Sequence, residues 1–180
     1  MRRLVLLIDV GTQSTRIAVA EGGFLHVGRC RNKLLLSQAG YAEQAPEEWW
    51  NNVVALVQEA LKSGICQAGE IACVAVCAQM HAPVGLTEQK ALVADRVQLW
   101  CDKRSSVIVD ELSASEGLMR EVQDRSGNSF TTAWMAPKIV SDNSYPPPAC
   151  GPRARGEFVS AVPQRRRECR GEFLRGEIVR

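Results

Sequence analysis

Residues 4–8 form an unbroken apolar run (LVLLI), closed by Asp9 and followed by Val10-Gly11-Thr12-Gln13-Ser14-Thr15-Arg16. A short apolar run that stops at a turn signal reads as a buried strand. Gly11 leaves room for a sharp backbone reversal, and the hydroxyls of Thr12, Ser14 and Thr15 crowd that reversal before Ile17 and Val19 resume as a second strand. Backbone N–H groups in such a turn can converge on phosphoryl oxygens. A carboxylate at the strand end can hold Mg²⁺ directly or through water. An ordinary hairpin with a polar turn has the same local pattern, so the rest of the chain must decide between the two.

Period and punctuation predict the elements that follow. Strands are expected over 4–10, 15–20 and 24–33, with Gly22-Gly23 at the second turn. A helix is expected from Pro46, with Glu47 and Glu48 at its positive end, Trp50, Val53, Val54, Val57 and Leu61 at helical spacing, and Gly64 as its stop. Further strands are expected over 71–78, 83–87 and 96–101. A second helix is expected over 106–123 with Val109, Leu112 and Met119 inward. This order fits an α/β domain on a mixed sheet with flanking helices. Asp9, His81 and Asp102 then fall at or just past strand carboxyl ends, the edge where open α/β sheets gather ligands.

Several motifs recur along this frame: Tyr41-Ala42-Glu43-Gln44 leading into Pro46-Glu47-Glu48-Trp49-Trp50, then Gln79-Met80-His81, then Leu99-Trp100-Cys101-Asp102-Lys103-Arg104, then Ala136-Pro137-Lys138. Taken singly, His81 reads as a hydrogen-bonded structural histidine, Met80 and Trp100 as packing, and Asp102 beside Lys103 and Arg104 as a solvated ion pair. Taken together with the first turn, in this order and at these spacings, they closely resemble the amino-terminal part of the FGGY carbohydrate kinases, and among these the xylulokinases most. The resemblance covers residues 4 to about 139. It implies an incomplete actin-like, RNase H-like ATPase domain, ATP and Mg²⁺ as cofactors, and transfer of the γ-phosphoryl group to a hydroxyl of a small sugar or polyol, D-xylulose foremost.

Carried over by residue, the resemblance makes Asp9 the carboxylate near the metal and places Gly11, Thr12, Gln13 and Arg16 in the phosphate turn. It places Met80, His81, Trp100 and Asp102 at the sugar. Ala82 stands where xylulokinases usually carry glycine, and Cys101 where many members carry asparagine. The family's general-base aspartate falls beyond the matched stretch, so no catalytic residue is assigned, and the chain is expected to be a truncated kinase, inactive alone. Competing nucleotide signatures are absent: there is no G-x-x-x-x-G-K-[ST] and no G-x-G-x-x-G.

Composition marks a boundary near residue 140. Residues 1–140 carry 14 Lys plus Arg against 15 Asp plus Glu, whereas residues 141–180 carry eight Arg and no Lys against five acids, with five of the eight prolines. This Arg/Pro-rich tail has no apolar period and is expected to be disordered. Its Arg-Pro-Gly bias matches a frameshifted, non-homologous end. The rival reading is an arginine arm that binds nucleic acid, against which the small charge excess and only two phenylalanines weigh. The seven cysteines include no C-x-x-C pair. Cys73 and Cys77 are expected on one buried strand face, and reduced thiols point to a cytoplasmic protein. Only five apolar residues separate Arg3 from Asp9, too few for a signal segment, and no run approaches a membrane span.

Overall fold

The computed structural model describes residues 2–142. In chain order these form β1 (Leu4–Val10), β2 (Ser14–Ala20), β3 (Phe24–Arg31), β4 (Glu43–Gln44), α1 (Pro46–Lys62), β5 (Ile71–Ala78), β6 (Val97–Gln98), α2 (Ser106–Ser113), α3 (Glu116–Ser126) and α4 (Met135–Ser141). They divide into two compact units, residues 2–33 with 46–79 and residues 34–45 with 80–142. The disorder, the frameshift origin and the nucleic-acid reading expected for the tail concern residues 141–180, of which 143–180 lie outside the described residues.

The first unit is a four-stranded mixed sheet in the order β3-β2-β1-β5. β1, β2 and β3 make the expected antiparallel meander, and β5 returns parallel to β1 after α1 has crossed one face. Strand alternation sends Leu4, Leu6 and Ile8 of β1 and Ile17 and Val19 of β2 to that face, where Val53, Leu56, Val57 and Ala60 of α1 close the core. Leu56 and Ala60 extend the apolar stripe expected from the sequence. Gly28 lets helix and sheet approach, since a Cβ there would lie 3.0 Å from Leu56 Cδ2. α1 begins at Pro46 and is followed by Gly64 at φ 74°, a left-handed stop that glycine adopts without strain.

Within this unit the opposite face of the sheet carries no covering element. Leu7, Ala18, Phe24, Val27, Ala75 and Cys77 line a shallow apolar trough of about 370 Å³, with Phe24 72% and Val27 61% exposed. This overturns the expected burial of Cys73 and Cys77, which are both exposed. Val74 packs against the core, so alternation turns its odd-numbered neighbours Cys73, Ala75 and Cys77 to the uncovered face. An apolar strand reads as buried on both faces, yet β5 has no fully buried residue: Cys73, Ala75 and Cys77 are exposed on one face, and Val76 is 47% exposed on the other.

In the second unit, β4 pairs with β6 in a two-residue antiparallel ribbon. The strand expected over 96–101 shrinks to two residues because the chain turns at once: the Asp102 N–H donates to Leu99 O at 3.0 Å. The strand expected over 83–87 is a loop with a single bridge between Leu86 and Leu92. The helix expected over 106–123 is broken into α2 and α3. Ser115 caps α3, its hydroxyl accepting from Leu118 N, and the serines at 113 and 115 offer the backbone the local partners that favour a break over a continuous helix. Val109, Leu112 and Met119 are half-buried, and no residue of α2 or α3 is fully buried. Pro137 is tolerated in the first turn of α4, where its missing N–H has no helical partner to lose. Among the described residues no helix is long and apolar enough to cross a membrane.

Candidate functional site

In the first unit the turn after β1 is closed by the Gly11 N–H donating to Ser14 O at 3.0 Å. A Cβ at position 11 would stand 3.2 Å from that oxygen, so glycine keeps the reversal tight. Because β1 and β5 run parallel, the turn and the end of β5 share one sheet edge. Gln79 N donates to Val10 O at 2.8 Å, and Thr12 Oγ1 lies 3.0 Å from Gln79 Oε1. Asp9 and Arg16 are register partners across β1 and β2, project from the face opposite α1, and form an ion pair at 3.7 Å with both side chains about half exposed. Such an exposed pair contributes little stability, and its carboxylate stays accessible.

From below, the turn is braced by residues that motif reading passed over. Asn32 Nδ2 donates to Gly11 O at 2.7 Å, and the Asn32 backbone N–H donates to Gln13 O at 3.0 Å. The Asn32 Oδ1 accepts from Thr15 Oγ1 and from Asn52 Nδ2, each at 2.9 Å. Asn52 comes from α1, so the helix reaches the turn through two amides. An asparagine just past a strand carries no periodic signal, which is why its role emerges only with the fold.

The second unit holds the other candidate residues. Met80 is 57% and Trp100 47% exposed, while His81 is half-buried with a left-handed φ of 62°. That conformation is strained for a residue with a Cβ, and such strain gathers at functional positions. Asp102 is different in kind. It is fully buried, its Oδ2 accepts from Ala42 N at 2.8 Å and from Arg104 Nη2 at 2.8 Å, and its Oδ1 accepts from Arg104 N at 3.0 Å and from Nε at 3.1 Å. The solvated ion pair expected of Asp102 is therefore a buried one.

Arg104 also reaches Glu43 at 2.8 Å and lies over the Tyr41 ring, 3.8 Å from its centroid. Burial acts to lower the guanidinium's pKa, and the bonds to Asp102 and Glu43 more than reverse it, so the net shift is upward. The bracket ties the Tyr41-Ala42-Glu43 segment to the turn that carries Trp100, which explains why the Tyr41 motif and the Trp100 motif occur together. The Asp102 carboxylate thus has both oxygens engaged by Ala42 and Arg104. Lys138 is buried too, its Nζ donating to the carbonyls of Thr132, Ala133 and Trp134, and burial pushes its pKa down to about 8.

Among the described residues no group of three or more His, Cys, Asp or Glu side chains could hold a metal by itself. Asp9 alone fits the manner in which Mg²⁺ is held, through one or two carboxylates with water and substrate phosphates completing the octahedron. The exposed Asp9 carboxylate beside a tight turn can do this, and a zinc-like cage cannot be built here.

Residues 4–140 match the family model described as the FGGY family of carbohydrate kinases, N-terminal domain. The glycerol kinase of Beutenbergia cavernae is 31% identical over 147 residues, covering 79% of this chain and 29% of that protein. The glycerol kinase of Saccharopolyspora erythraea is 30% identical over 161 residues, covering 87% and 31%. Among solved structures, the Plasmodium falciparum glycerol kinase with ADP superposes with a TM-score of 0.70 at 22% identity, over 77% of this chain and 28% of that one. The xylulose kinase from Rhodospirillum rubrum superposes with a TM-score of 0.68 at 25% identity, over 76% and 28%. The chain thus spans less than a third of the length of these relatives. The fold is that of the actin-like sugar kinases, and the chain belongs to the FGGY family of carbohydrate kinases.

Proposed function

We propose that this chain supplies the phosphate turn and the sugar wall of an ATP-dependent kinase that phosphorylates D-xylulose. The observation that carries the substrate is the exposed Met80 followed by His81 in a strained conformation, because this pair matches the xylulokinase variant of the family pattern. In the reaction, residues 11–13 and Arg16 meet the phosphates of ATP. Met80, His81 and Trp100 hold the sugar, and Asp102 keeps Trp100 in place through Arg104. Asp9 is the residue that would hold Mg²⁺, which would supply positive charge against the negative charge developing on the transferred phosphoryl group. Transfer is then in line, with positioning and charge neutralisation supplying most of the acceleration.

A glycerol acceptor is the second reading, favoured by the glycerol kinases at 31% and 30% identity. Calorimetric titration of the chain with each compound separates the two. D-xylulose should bind at least tenfold more tightly than glycerol, and His81→Ala should erase that preference. Equal affinities, or glycerol the tighter, would move the assignment to the second reading.

A further inference from the structure

Asn32 is 7% exposed and its amide is engaged on both sides. The Gly11 carbonyl can only accept, so Nδ2 must face it, and Oδ1 is left for the Thr15 hydroxyl and the Asn52 amide. Asn52 is itself oriented by the Cys30 thiol, which donates to its Oδ1 at 3.2 Å. Strand alternation puts Thr15 on the α1 side of β2 and Arg16 on the other, and Asp9 projects with Arg16. Asn32 thus draws the Gly11 carbonyl toward the α1 side. All described peptide bonds are trans, so the N–H of the same peptide, that of Thr12, is turned the opposite way, toward the side that carries Asp9 and Arg16. An anion cradle needs N–H groups on that side, and a carbonyl there would repel a phosphoryl oxygen.

We propose that Asn32 is a positioning residue for the nucleotide phosphates: it fixes the orientation of the Gly11–Thr12 peptide, and α1 holds Asn32 in register through Asn52. The inference rests on the reading of this turn as a phosphate site. Asn32→Asp is isosteric, keeps the acceptor for Thr15 and Asn52, and removes the one donor to Gly11. Asn32→Ala removes the side-chain bonds without adding charge.

The test is calorimetric titration of wild type and both variants with Mg·ATP and, separately, D-xylulose, together with backbone hydrogen exchange at Gly11. Both variants should bind Mg·ATP at least tenfold more weakly, exchange the Gly11 amide, which donates to Ser14 O, at least tenfold faster, and bind D-xylulose within twofold of wild type. A merely structural role would move both ligands together. Mg·ATP affinity within twofold of wild type in Asn32→Ala overturns the proposal, as does unchanged exchange in either variant. Should Asn32→Ala fail to fold, the isosteric Asn32→Asp decides by the same measurements. Absence of Mg·ATP binding in wild type would sink the phosphate reading itself, while exchange would still decide whether Asn32 sets this peptide.

Discussion

Replacing Asp102 by alanine should cost about 3 kcal/mol. Removing one partner of a buried ion pair typically costs about 3–5 kcal/mol, because the remaining charge loses its compensation. The lower end applies here: the Arg104 side chain retains 18% exposure and keeps Glu43 at 2.8 Å. The variant also orphans the Ala42 N–H, which donates to Asp102 Oδ2. Arg104→Met should cost a similar amount, since it strands a fully buried carboxylate. The double variant should cost clearly less than the sum, because neither Asp102 nor Arg104 is left to face the loss of the other, although Glu43 still loses Arg104; the coupling energy should exceed about 1.5 kcal/mol.

The assay is equilibrium urea unfolding of the four proteins of this cycle, with hydrogen exchange at the Ala42 amide as the local readout. A loss of about 3 kcal/mol corresponds to roughly a hundredfold increase in the opening constant of that amide if it exchanges through the same unfolding. Coupling below about 0.5 kcal/mol would refute the reasoning, because it would mean that the two charges are solvated in each other's absence.

The same residues show what a sequence can and cannot disclose. β1, β2, β3, α1 and β5 were legible because each has a period or a punctuation mark of its own: the apolar run before Asp9, Gly22-Gly23, Pro46 with two glutamates, and Gly64. The second unit was not. Its strands are two residues long, too short to show a period, and they are held by the Asp102–Arg104 bracket more than by their own ladder. The serines that split the helix expected over 106–123 are local signals, and the helical spacing of Val109, Leu112 and Met119 across them masks the break. At the candidate site, Asp9 and the turn residues announce themselves by type and spacing. Asn32 follows β3 and Asn52 lies on α1, 20 positions apart, and they meet only when α1 packs across the sheet. Glycine at 28 is what permits that approach, and as an isolated strand glycine it has no periodic signature.

Three further outcomes are expected. Leu56→Ala, which empties the α1 side of the core beside Gly28, should destabilise the chain by about 2–5 kcal/mol in urea unfolding; a change below about 1 kcal/mol would mean that α1 does not close this core. Peptide-resolved alkylation under native conditions should label the exposed Cys73 and Cys77 well before Cys66, which is 3% exposed and whose thiol pKa is raised by burial; equal rates would show that the open sheet face is covered in solution. Lys138 should make stability rise with pH. Its folded pKa of about 8 lies below the ordinary lysine value of 10.5, with burial lowering it and Asp102 and Cys101 pulling the other way. Between those two values the unfolded chain holds more protons than the folded one, so raising pH through this window favours folding; below about 8 both states are protonated and the dependence vanishes. One such group contributes at most about 1.4 kcal/mol per pH unit, and the wild-type minus Lys138→Met difference in urea-unfolding free energy removes titrations common to both proteins. That difference should shift in favour of wild type by an amount on the order of 1–2 kcal/mol between pH 7 and pH 10. A difference that stays constant over this range would mean that the three carbonyls of residues 132–134 hold the ammonium as well as water does, and that Lys138 is no site of pH sensitivity.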